Sequence, residues 1–131
     1  LVAKIFLFLS GIYTVAITWL SLVQLGKISV GSFNPTDKML HAGAYLLLVL
    51  LWKLFFVFKS HDFNKYRSNL IRIALLCFVF GMIMELLQGI LTSYRDPDWW
   101  DILANSTGVI IAVVFLLLVA PYLKALRHRI H

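Results

Sequence analysis

The 131 residues are 61% hydrophobic and only 14% charged, with a formal net charge of +6 and a mean hydropathy of +0.88. Soluble domains carry about 25% charged residues, so this balance excludes an ordinary water-soluble fold. A membrane-spanning helix needs about 20 mostly apolar residues, and four such stretches with their connections fill these 131 residues, leaving no room among them for a separate soluble domain.

In chain order, Lys4 is followed by an apolar run from Ile5 to about Leu25. It is longer than a signal-peptide core and lacks a small-residue cleavage pattern, so it reads as a retained first span. Further spans are expected at about 38–58, 70–91 and 99–120, the last ending at Pro121, where a proline cannot continue the ladder of backbone hydrogen bonds. The intervening stretches 26–37, 59–69 and 92–98 hold the Gly, Pro, Asn, Asp and Ser that punctuate loops. The expectation is an all-α, single-domain bundle of four transmembrane helices over 1–131. Cys77, the lone cysteine, lies in an apolar run and reads as a small hydrophobe.

Charge sets the expected orientation, because cytoplasmic segments near membrane spans are enriched in Lys and Arg. One side of the bundle collects nine basic residues, from Lys4 through Lys53, Lys59, Lys65, Arg67 and Arg72 to Lys124, Arg127 and Arg129, against Asp62 alone. The other side sets Lys27, Lys38 and Arg95 against Asp37, Glu85, Asp96, Asp98 and Asp101. Both termini are therefore expected in the cytoplasm, and the acidic side outside. Because the basic residues are spread over separate membrane-flanking segments, they argue against nucleic-acid binding. They add some attraction to anionic lipid instead.

An ionisable side chain within the bilayer costs on the order of 2.5 to 3.5 kcal/mol on insertion scales, so such residues rarely stand there without a partner or a role. On the second helix Asp37, His41 and Tyr45 are four apart and share one face, with Lys38 beside them. On the third, Glu85 and Gln88 are three apart, Glu85 lying roughly 9 Å inside the helix end at 1.5 Å per residue. On the fourth, Asp101 and Asn105 precede Gly108 and Ala112 on one face, and Arg95 lies in the connection before it. Turning these groups toward each other makes one shared pocket.

Structural readings compete. Asp98 and Asp101 fit an N-cap and its third-position acid, and Thr36 or Asp37 can cap the second helix. His41 can be satisfied by a neighbouring helix. Tyr45, Trp99 and Trp100 suit the aromatic belt at a membrane boundary. Lys53 and Arg72 can snorkel outward along their aliphatic stems and are given no chemistry. Gly81, Gly108 and Ala112 permit close helix approach.

The string Asp37-Lys38-x-x-His41-x-x-x-Tyr45, then Glu85-x-x-Gln88, Arg95, and Asp101-x-x-x-Asn105-x-x-Gly108 resembles the VanZ-like family. The resemblance runs from about Asp37 to Gly108, the first helix matching only as an unspecific apolar span. It implies a multi-pass protein of the bacterial cytoplasmic membrane, in a family named for a member that lowers susceptibility to the lipoglycopeptide teicoplanin. It implies no particular reaction.

Three functions stay open. In the first, Asp37, Lys38, His41, Tyr45, Glu85, Gln88, Arg95, Asp101 and Asn105 line an outer-facing pocket for an amphiphile such as a membrane lipid, a lipid-linked wall precursor or a lipoglycopeptide. Arg95 and Lys38 would contact its anionic group. In the second, His41 and Glu85 act as an acid–base pair of an intramembrane hydrolase or transferase, although no serine or cysteine stands among these residues as nucleophile. In the third, a proton or small solute is transported. No metal or other cofactor is expected, since one histidine with carboxylates matches common catalytic zinc ligation poorly.

Overall fold

A computed structural model of the chain describes residues 1–23, 35–59, 63–91 and 99–130, with the side chains of 21–23, 35–37, 88, 89, 91, 99 and 130 left aside. The described residues form α1 (Val2–Val23), α2 (Pro35–Lys59), α3 (Tyr66–Leu91, preceded by a 3-10 turn over Phe63–Lys65), α4 (Trp99–Leu118) and α5 (Ala120–Ile130), with no strand among them. Four stretches are long and apolar enough to cross a membrane: Val2–Leu20, Lys38–Lys59, Phe63–Leu87 and Trp100–Leu118. The expected all-α bundle of four spans is what the chain forms.

Its boundaries differ in instructive ways. Helix α2 begins at Pro35, three residues before the expected start, because a proline at the first helical position gives up an amide that would be unsatisfied there anyway. Thr36 and Asp37 thus lie within the first turn of the helix. Helix α3 begins at Tyr66, so Tyr66 and Asn69, expected in a connection, are helical. The Tyr66 hydroxyl donates to the carbonyl of Leu116 at 2.6 Å, fastening the start of α3 to the end of α4. The sequence reading also missed α5. Pro121 interrupts the helix around Val119, but Leu123 N–H still donates to the Val119 carbonyl at 3.0 Å, and a basic helix resumes with Arg127, His128 and Arg129 in its last turn.

Helix α2 is the hub, packed most extensively on α4 and also on α1 and α3. Leu48, Val49, Leu70, Ile73, Cys77, Ala112 and Leu116 form the dry centre. Phe8, Trp19, Leu76, Ile110 and Leu118 face outward, as a bundle in lipid requires. Between helices surrounded by hydrocarbon the hydrophobic effect does little, and packing of small residues and hydrogen bonds must do the joining. Tyr13 hydroxyl donates to the Ala44 carbonyl at 2.6 Å and Trp52 Nε1 to Thr14 Oγ1 at 3.0 Å, tying α1 to α2. The α2–α4 seam relies on Gly108: a Cβ there would overlap the backbone carbonyl of Ala42.

Gly108→Ala is therefore expected to cost about 1–3 kcal/mol through forced separation of two backbones. Gly81→Ala, whose Cβ would approach the Tyr45 ring at 2.9 Å, meets a side chain and costs less. Thermal unfolding of the detergent-solubilised variants checks the order, and equal stability of Gly108→Ala and wild type would refute it.

Candidate functional site

The polar residues singled out above gather at the end of the bundle where α2 and α4 begin and α3 finishes. Lys38 and His41 lie one turn apart on α2, and Asp101 and Asn105 one turn apart on the facing side of α4. The Lys38 ammonium donates directly to Asp101 Oδ1, an ion pair across the seam. His41 Nδ1 faces Asn105 Oδ1 at 3.2 Å. A carbonyl oxygen only accepts, so Nδ1 carries the proton in that pairing. His41 Nε2 stands 3.5 Å from Asp101 Oδ1, a contact that becomes an ion pair when the ring is protonated. The close approach of backbones at Gly108 is what brings these short side chains within reach.

Helix α3 closes the third side. A Cβ on Gly81 would lie 2.9 Å from the Tyr45 ring and 3.3 Å from Asn105 Nδ2, so the missing side chain gives both groups room against α3. Glu85 follows one turn later on the same face of α3. Burial is nearly complete: Asp101 is 0% exposed, Glu85 2%, and Tyr45 and Asn105 5% each. A carboxylate so far from solvent is tolerable only with compensating charge or hydrogen bonds. For Asp101 those come from Lys38 and His41. This goes beyond a capping role, although Asp101 does occupy the first turn of α4.

Of the nine residues expected in the pocket, Lys38, His41, Tyr45, Glu85, Asp101 and Asn105 are brought together. Asp37 and Gln88 lie on α2 and α3, one turn from His41 and close after Glu85, with their side chains outside the described set. Arg95 and Asp98 fall outside the described residues. Lys38, placed beside the stripe by sequence, is the cation that pairs with Asp101 among the described residues. The opposite end holds a second polar centre that the sequence reading did not find. Lys53 does not snorkel outward: it is 2% exposed, donates to Asn69 Oδ1 at 2.7 Å and to the Tyr66 carbonyl at 3.0 Å, and sits 4.0 Å from the Tyr66 ring centre. Its signal was available in sequence as a lysine five residues inside the apolar run ending at Phe58.

A protein-family model described as VanZ/LLP1 matches residues 3–120. The chain belongs to the VanZ/LLP1 family. The match takes in α1, which the motif resemblance had covered only as an apolar span. No curated protein and no solved structure matches the chain significantly. Family membership and four apolar spans together make this a multi-pass membrane protein, and they put the Asp101-centred constellation in a VanZ/LLP1 bundle.

Lys38→Met is expected to destabilise the bundle by about 3 kcal/mol, because it strands a buried carboxylate. Adding Asp101→Asn should recover part of that loss, giving a coupling of about 1 kcal/mol or more in the double-mutant cycle. Additive effects in chemical or thermal unfolding would show that the two charges act independently.

Proposed function

We propose that this VanZ/LLP1 protein binds the polar head of an amphiphilic ligand at the Asp101-centred constellation. The site would face the extracytoplasmic side of the bacterial cytoplasmic membrane, with both chain ends in the cytoplasm. The observation that carries the reading is the convergence of ionisable groups from three spans at one end of the bundle, with Glu85 on α3 and Asp101 on α4 buried and Lys38 and His41 on α2 partly buried. Ionisable groups inside a membrane protein are costly and mark binding or transport sites far more often than scaffold. The end concerned is the one with few basic residues, which the positive-inside tendency puts outside.

The ligand class follows from the surroundings. A polar constellation at one end of an otherwise apolar bundle suits a molecule with a charged or hydroxylated head and a hydrocarbon tail: a membrane lipid, a lipid-linked cell-wall precursor, or a lipoglycopeptide of the teicoplanin kind. Arg95, entering from the connection before α4, would supply a planar donor fork for carboxylate or phosphate. Asn105, Tyr45, Asp37 and Gln88 would meet hydroxyl and amide groups. Lys38 and Asp101, already paired, would hold α2 and α4 at the right separation, and antibiotic resistance would be one outcome of retaining such a ligand.

Catalysis is the second reading, and the geometry of His41 favours keeping it. A carboxylate 3.5 Å from Nε2 and an amide oxygen 3.2 Å from Nδ1 orient the ring, as a general acid or base must be oriented. His41 would exchange the proton with Glu85 as its partner carboxyl group in a hydrolase or transferase acting on the same ligand.

Mass spectrometry of lipids extracted from purified protein is expected to find a co-purifying amphiphile that falls at least tenfold in Arg95→Ala and His41→Ala. Unchanged lipid content in both variants would remove the binding reading. For catalysis, wild-type protein should turn over a lipid-linked wall precursor, and Glu85→Gln should abolish turnover while leaving the bound amphiphile in place. Retained turnover in Glu85→Gln would rule out the acid–base pair.

A further inference from the structure

The end of the bundle opposite the Asp101 constellation holds a cavity of about 320 Å³ to which four different elements each contribute a cation: Lys53 from α2, Lys65 from the 3-10 turn, Arg72 from α3 and Arg127 from α5. Ser68 and Asn69 add neutral polar groups to its wall. Topology alone accounts for basic residues scattered around the rim of a bundle. It does not account for their convergence. Lys53 is 2% exposed and Arg127 is buried, while Lys65 and Arg72 are exposed.

Like charges gathered in a region of low dielectric repel, and the repulsion grows as water leaves. An anion placed among the four cations would offset that repulsion. A guanidinium fork and an ammonium on opposite walls are the usual complement of a phosphate group, whose oxygens accept several charge-assisted hydrogen bonds at once. Arg72, Arg127 and Lys65 are placed to reach it, while Lys53, held by Asn69 and Tyr66, supplies fixed positive charge from below.

Phe56 forms part of this cavity and also part of a second one of about 310 Å³, whose wall consists largely of Trp52, Leu48, Ile73, Leu76, Cys77 and Phe80 on α2 and α3, with Thr14 of α1. The basic cavity and this apolar groove thus adjoin at Phe56. A charged chamber beside an apolar groove has the polarity profile of a phospholipid.

We propose that the basic-end cavity is a binding site for an anionic phospholipid, its phosphate held among Arg72, Arg127, Lys65 and Lys53 and one acyl chain laid past Phe56 into the α2–α3 groove. The site is separate from the Asp101 constellation, and a ligand at either one can be lost without the other. Phosphate is the recognised chemistry, and the apolar groove selects the lipid form over a free phosphate.

The test uses the full chain in a neutral detergent. Thermal unfolding is followed with added phosphatidylglycerol, phosphatidylcholine or inorganic phosphate, for wild type, Arg72→Gln/Arg127→Gln, and the charge-matched control Lys4→Gln/Lys124→Gln. Phosphatidylglycerol is expected to raise the midpoint of wild type and of the control by several degrees, and to need at least tenfold higher concentration in Arg72→Gln/Arg127→Gln. Equal stabilisation by inorganic phosphate would overturn the lipid assignment in favour of a soluble phosphate. Equal loss in the control would overturn the site in favour of diffuse surface attraction. Should Arg72→Gln/Arg127→Gln fail to fold, a phosphatidylglycerol carrying a photoactivatable acyl chain decides on wild type alone. Labelling of Thr14, of Trp52 to Phe56 or of Leu76 to Phe80 supports the groove, and labelling confined to the outward face of α4 overturns it. The Arg95→Ala protein should keep the full phosphatidylglycerol response, which separates this site from the proposed outer one.

Discussion

The bundle is organised by the cost of keeping ionisable groups away from water. Asp101, fully buried near the start of α4, meets Lys38 and His41 from α2, and the close approach of the two backbones at Gly108 and Ala42 brings those side chains together. A small residue, a close crossing and an ion pair thus act as one unit. The same reasoning reaches α3, where Gly81 leaves room for Tyr45 and Asn105 and the next turn presents Glu85. Helix α1 takes no visible part in this unit. It adheres through Tyr13, Thr14 and an apolar face, and turns much of its surface outward.

Between the two polar ends lies a dry layer of Leu48, Val49, Ile73, Cys77 and Ala112. On α2 two turns of apolar residues separate Tyr45 from Lys53, about 12 Å at the rise of a helix, and on α3 no charged residue stands between Arg72 and Glu85. A proton or solute would have to cross that layer without a charged step on α2 or α3, so a single bundle is poorly suited to transport. Two separate ends, each addressing its own membrane boundary, fit the arrangement of charge better.

How far this was legible in sequence depended on whether a residue announced its own environment. Glu85, His41 and Asp101 stood out because each is expensive in an apolar run and each recurs at helical spacing with another polar residue. Their convergence followed from all three spans carrying such groups near the same boundary. Lys38 was harder to place, since a lysine at a helix start is ordinary, and its role depends on Asp101 being 63 residues away in sequence yet opposite in space. Tyr66 and Asn69 were read as loop residues because polar character is the only sign a loop gives. Their part in anchoring Lys53 exists only after α2 and α3 are packed. Helix α5 was hidden by Pro121, which marks the end of one helix and the permitted first turn of another with the same residue.

The two ends also handle charge by opposite means. At the Asp101 end, acid and base are present together, so burial is compensated inside the protein and what remains for a ligand is a set of oriented donors and acceptors. At the Lys53 end, the described side chains that converge are cations and neutral groups, with Lys53 stabilised by a carbonyl, an amide oxygen and the face of Tyr66. Neutral partners lower the cost of burying an ammonium without cancelling its field. On the two readings proposed above, the first end would recognise the detailed arrangement of a head group, and the second would recognise the negative charge of a phosphate.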